Sequence, residues 1–220
     1  MPRNHAIIAL ALARASPGLH AQTAEIAATV VNEQGQPIAD AVVVAVPADG
    51  SLRPPARPRE DVVDQVDKEF LPKVLVIGVG TGVVFPNNDN VRHHVYSFSP
   101  AKRFELPLYT GVPAQPVVFD KAGVIVLGCN IHDWMVGYIY VSESPHFAKT
   151  DKDGKAVLTE LPPRSYVVRV WHPQLKSGEE TTKKSVDASR TRRTDVAWTL
   201  PLKPEARVRR APTTEHSGHY

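Results

Sequence analysis

Short apolar runs rich in valine and isoleucine alternate along this chain with glycine, proline, asparagine and aspartate. The runs are Ala27 to Val31, Ala41 to Val46, Val74 to Val79, Val83 to Phe85, Val95 to Phe98, Pro116 to Phe119, Val124 to Leu127, Gly137 to Val141, Ala156 to Leu158, Tyr166 to Trp171 and Asp195 to Leu200. Each has the length and residue types of a strand bounded by turns. No segment keeps a helical period for three turns. The pattern predicts an all-β protein built from sandwiches or barrels of antiparallel strands.

Two breaks divide the pattern. Residues 51–60 are proline-rich, which removes backbone donors and favours an extended linker. Ser142-Glu-Ser-Pro145 marks the second. The block between them, residues 61–143, is expected to be a unit of its own. The flanks, 22–50 and 144–202, are each too small to cover an apolar face alone. Ala28 to Val44, with its Asn32-Glu-Gln-Gly35 turn, and Phe147 to Val170 resemble the opening and closing parts of a carboxypeptidase regulatory-like, prealbumin-type sandwich. That resemblance implies one discontinuous sandwich into which the central block is inserted. Arg164-Ser165 stands where that family usually carries a turn glycine.

The ends read differently. Arg3, the apolar run Ala6 to Ala13 and Leu19-His-Ala21 have the order of an export signal, so residues 1–21 are expected to be removed and the mature chain to start near Gln22 in the periplasm. The apolar run is too short to span a bilayer. Residues 203–220 are expected to be a disordered tail. The formal net charge of +3 owes much to Arg207, Arg209 and Arg210 in this tail. No recognition helix or aromatic platform accompanies them, which argues against nucleic-acid binding.

The chemistry is concentrated in one stretch. The single cysteine, Cys129, and the one methionine after the initiator, Met135, flank His132 in Cys129-Asn-Ile-His132-Asp-Trp-Met135. In an oxidising compartment a lone cysteine has no internal disulfide partner. Thiolate, imidazole and thioether form the ligand set of a mononuclear copper electron-transfer site, whereas structural zinc sites usually take two to four cysteines. The second histidine is His93 or His94. Successive residues of a strand point to opposite faces, and period two puts His93 with apolar Val95 and His94 with Tyr96.

From Gln65 to Val141 the chain resembles the cupredoxins. The residues that carry the likeness are Val79-Gly-Thr81-Gly-Val-Val-Phe85-Pro-Asn87-Asn-Asp89, then His93, then Phe119-Asp-Lys-Ala-Gly123-Val-Ile-Val-Leu-Gly-Cys129 leading to His132 and Met135. The resemblance implies a Greek-key β-sandwich, copper held by His93, Cys129, His132 and axial Met135, and one-electron transfer without substrate turnover. It also implies a redox protein partner docking near His132, with Trp134 either enlarging that patch or packing in the core. His94 stands where the family carries an asparagine that ties its ligand loops together. Two other functions are open: a copper-binding or delivery module, and a sandwich that binds a partner while the copper site is vestigial.

Other features point to structure. Asp151-Lys-Asp153-Gly154 lacks the later acid of a calcium loop and is expected to be a hairpin turn. His146 and His172, beside prolines, are expected at the surface. The mature chain has no phosphate loop, nucleophile elbow or paired cysteines.

Overall fold

The structure, a computed structural model, describes residues 23–52 and 59–204. The expected export signal, most of the proline-rich linker and residues 205–220 lie outside the described residues. The described chain is all-β. Its strands are β1 (Ala24–Asn32), β2 (Val42–Pro47), β3 (Glu60–Val62), β4 (Asp64–Val66), β5 (Glu69–Leu71) and β6 (Val74–Gly78). They continue with β7 (Thr81–Val84), β8 (His93–Ser99), β9 (Lys102–Tyr109), β10 (Val117–Phe119), β11 (Gly123–Gly128) and β12 (Val136–Ser142). The last are β13 (Phe147–Lys149), β14 (Lys155–Leu161), β15 (Ser165–Trp171), β16 (Lys184–Asp187) and β17 (Arg193–Leu200). A single 3-10 turn, Glu179–Thr182, is the one helical element among the described residues.

The two flanks pair with each other. Strand β1 lies between β14, antiparallel, and β17, parallel, with Ala28 opposite both Ala156 and Val196. The facing sheet runs β13-β2-β15-β16. Ile26, Val30, Val43, Leu158, Leu161, Tyr166, Val168, Trp198 and Leu200 fill the space between the two sheets. Thr150 crosses the same core. Its hydroxyl donates to the Ile38 carbonyl at 2.7 Å and accepts the Ala41 N–H at 2.8 Å.

A second sandwich occupies the middle of the sequence. Its larger sheet runs β6-β12-β11-β8-β9 and faces the smaller sheet β10-β7-β3, with the β4-β5 hairpin alongside. Phe70, Val83, Phe85 and Phe119 pack from one side against Val95, Ile125, Leu127 and Ile139 from the other. Cys129 and Met135 are part of this apolar cluster.

The seam between the sandwiches explains an oddity of the sequence. Strand β2 is buried almost throughout and does not alternate, because its two faces cover different cores. Val43 and Ala45 look into the flanking sandwich, while Val42 and Val44 pack with Val74 and Tyr140 of the central one. Fully burying each of these valines contributes about 1.5–3 kcal/mol. Polar contacts reinforce the seam: Arg169 on β15 meets Glu143, Tyr140 donates to Glu179 at 2.8 Å, and the Lys149 ammonium donates to the Val74 carbonyl at 2.9 Å.

Several expectations need adjusting. Each of the eleven apolar runs falls wholly or mainly on a strand, but β3, β4, β5, β13, β16 and the eight-residue β9 were not among them. The β9 sequence Lys-Arg-Phe-Glu-Leu-Pro-Leu-Tyr alternates on a sheet edge with only half-buried apolar residues, so the apolar signal is diluted. The Asp151–Gly154 turn forms, with Gly154 at φ +69°, but it is no hairpin: it joins β13 of one sheet to β14 of the other. A Cβ on Gly154 would lie 2.4 Å from the Val30 carbonyl oxygen, so glycine is required there. His146 and His172 are half-buried, His146 with its ring 5.9 Å from that of Tyr166. Lys203, placed in the tail by sequence, is anchored by its N–H to the Gln174 carbonyl at 2.7 Å.

Candidate metal centre

Two segments of the central sandwich supply the donors. His93 opens β8, and the alternation along that strand turns His93, Val95 and Ser97 inward and His94, Tyr96 and Phe98 outward. Cys129 follows the end of β11, and the seven residues Cys129 to Met135 lead into its antiparallel partner β12. Strand pairing on both sides pins this loop. Gly128 permits the approach of β8, since a Cβ there would lie 2.7 Å from the Tyr96 ring.

His93, Cys129 and His132 come together, with donor atoms all within 4.8 Å of one another. The Cys129 sulfur lies 3.8 Å from His93 Nδ1 and 3.9 Å from His132 Nδ1. Metal–sulfur and metal–nitrogen bonds of about 2.3 and 2.05 Å at 120° would separate the two donors by about 3.8 Å. The spacing therefore fits a single ion in a trigonal plane of two imidazole nitrogens and one sulfur, the arrangement typical of a copper electron-transfer site. Met135 is 1% exposed, and its N–H donates to the His132 carbonyl at 2.9 Å, closing the loop on itself.

The protonation pattern also suits a metal. His93 is fully buried, and its Nε2–H donates to Asp89 Oδ2 at 2.9 Å. That bond assigns the proton to Nε2 and leaves the Nδ1 lone pair facing the sulfur, the usual way a protein orients a ligating imidazole. Asp89 is itself held by the N–H groups of Lys68 at 2.7 Å and Asn90 at 2.9 Å. Burial works to raise its pKa, but the bonds from His93, Lys68 and Asn90 prevail and hold the carboxyl below its ordinary value. Burial pushes His132 below the usual imidazole value, and its electrostatic contacts with His93 and Lys68 add to this, with Asp89 opposing. A depressed pKa keeps His132 neutral and able to ligate.

Behind the donors lies a polar layer that the sequence did not reveal. Asn87 accepts the Asp89 N–H at 3.0 Å and donates to the carbonyls of Tyr109 at 2.7 Å and Val91 at 3.0 Å, binding the His93 loop to β9. Gln65, fully buried, donates to the Tyr109 hydroxyl at 2.6 Å, and that hydroxyl donates to the Phe85 carbonyl at 2.6 Å. Burial pushes Tyr109 up to about 12, with Cys129 and Asp64 adding to the shift and the Gln65 bond opposing it. Asn87 thus braces the His93 loop against β9, and none of these bonds reaches the Cys129–Met135 loop. His94 faces outward, its Nε2 3.0 Å from Glu105 without hydrogen-bond geometry and its ring 5.7 Å from that of Tyr96.

No family model and no curated protein matches the chain. Solved structures do. A purple cupredoxin from Nitrosopumilus maritimus is 28% identical over 37% of this chain and 99% of its own, with a TM-score of 0.34. An amicyanin variant in the reduced state is 22% identical over 47% of this chain and 99% of its own, at 0.33. A copper-containing nitrite reductase from Thermus scotoductus is 29% identical over 53% of this chain and 28% of its own, at 0.36.

In the central sandwich His132 is partly exposed, and its ring centroid lies 5.0 Å from that of His93 and 5.1 Å from that of Trp134. Trp134 is half-buried and turned toward the seam with the flanking sandwich, where it lines a cleft with His172 and Tyr138.

Proposed function

We propose that this chain is an exported, periplasmic type 1 copper protein that carries single electrons and turns over no substrate, with His93, Cys129 and His132 as strong ligands and Met135 as the weak axial one. The observation that carries the reading is the pair of Nδ1-to-sulfur separations, 3.8 and 3.9 Å, combined with the Asp89 bond that turns the His93 lone pair toward them. Bound there, copper supplies a one-electron couple and a thiolate-to-metal absorption band. The chain's own part is rigidity. Asp89 fixes the His93 ring, the Met135-to-His132 bond closes the loop, and the surrounding apolar cluster limits water. A site held this way changes little between oxidation states, which favours rapid transfer. A redox protein docks at the partly exposed His132. The flanking segments 22–50 and 144–202 form one discontinuous sandwich around 61–143, a division supported by the pairing of β1 with β14 and β17.

The test is the visible and electron paramagnetic resonance spectrum of the copper-loaded protein beside Cys129→Ser and His93→Ala. An intense charge-transfer band with narrow copper hyperfine splitting, lost in both variants, is expected. A colourless protein with tetragonal copper signals indifferent to Cys129 would overturn the proposal.

A further inference from the structure

The seam beside Trp134 opens into a cleft of about 430 Å³, within the roughly 300–1,000 Å³ typical of small-ligand sites. Its walls come from both sandwiches. Trp134 and Tyr138 of the central sandwich provide aromatic surface, while His172 and Lys203 reach it from the flanking one and Lys73 from the loop before β6. The one carboxylate on the lining, Asp40, is 2.7 Å from the Lys149 ammonium, so its charge is answered. The remaining formal charges on the lining, those of Lys73 and Lys203, are positive. His172 adds a directed donor. Its Nδ1 accepts the Gln174 N–H at 3.2 Å, which places the ring proton on Nε2.

We propose that this cleft binds a small planar aromatic anion, its ring stacked on Trp134 and its carboxylate or sulfonate met by Lys203 and His172. Stacking needs a flat apolar face, and Trp134 is half-buried with one side on the cleft. The anionic group is selected because the lining offers cations and an N–H donor, and its single acid is already paired. The position has a consequence for the metal centre. The rings of Trp134 and His132 are 5.1 Å apart, so a bound ligand sits one aromatic side chain from a donor. This consequence rests on the copper reading; the binding does not.

The test therefore uses the full-length, metal-free protein. 2-Naphthoate is titrated while the Trp134 indole and His132 ring resonances are followed by NMR, beside the uncharged 2-naphthylmethanol. Saturable shifts at both residues are expected, with the anion binding about tenfold tighter than the alcohol, in line with a hydrogen-bonded charge. Trp134→Ala should weaken naphthoate about tenfold and Lys203→Gln by about threefold, the scale of an exposed ion pair. Phe98→Ser, on the exposed outer face of β8, should change nothing. Equal affinity for the two ligands, shifts centred on β8, or indifference to Trp134→Ala would overturn the proposal. If Trp134→Ala does not fold, the ligand pair and Lys203→Gln, an exposed position, decide it alone. Failure to load copper leaves this test intact, and loss of anion selectivity leaves the copper reading intact.

Discussion

Asp89→Asn isolates what the carboxylate does for His93. The substitution keeps size and shape but removes the charge addressed by His93 Nε2–H and by the N–H groups of Lys68 and Asn90. The Asp89 side chain is only 9% exposed and that of His93 is not exposed at all, so solvent screening is slight. A hydrogen bond to a charged acceptor contributes about 1.5–3 kcal/mol, and a neutral one roughly half as much. The metal-free variant should therefore lose about 1–2 kcal/mol in urea unfolding. Copper affinity, measured by chelator competition, should fall by about 10–100-fold, the range for partners that orient a ligating imidazole. The pH dependence has a definite sign. Because the folded pKa of Asp89 lies below its unfolded value, its stabilisation is complete above about pH 4 and is lost as pH falls through the folded value. The stability gap between parent and variant should close in acid. An Asp89→Asn protein that binds copper as tightly as the parent and unfolds at the same urea concentration would refute the argument that this bond orients His93.

Three further outcomes follow from the packing. Gly128→Ala should destabilise the protein by about 1–3 kcal/mol through overpacking against Tyr96, and adding Tyr96→Ala should recover part of the loss in urea titrations; a purely additive pair would contradict the contact. Thr150→Val should cost about 1–3 kcal/mol, because the Ile38 carbonyl and Ala41 N–H lose a buried partner; an unchanged melting temperature would show that this link does not stabilise the flanking sandwich. His172 titrates below its ordinary value because of burial, with Lys73 adding and Asp40 opposing, so the unfolded chain binds more protons and stability should fall as pH drops below about 6.5. His172→Gln should flatten that slope in thermal scans between pH 7 and 5, and an unaltered slope would count against it.

Much of the strand pattern was legible because a half-buried strand has only two faces. Period two alone places His93 inward beside Val95 and His94 outward beside Tyr96, and the structure has this arrangement. Strand β9 was hidden because its apolar residues are half-buried at a sheet edge and interrupted by Pro107. The role of Asp89 was hidden for a different reason. An acid four residues before a histidine is ordinary in sequence, and only the turn between them brings Oδ2 to 2.9 Å from Nε2.

Most of the longer strands and the local order of donors are legible in the residues alone, because side-chain alternation and the seven-residue Cys129–Met135 loop are properties of neighbouring residues. Tertiary structure decided what depends on distant segments meeting. His93 reaches Cys129 across 36 positions because β8 and β11 share a sheet. Gln65 finds Tyr109 across 44 positions within the central core. Strand β2 is apolar on both faces because two sandwiches close over it. These juxtapositions minimise exposed apolar surface over the whole chain, and so no local window of residues encodes them.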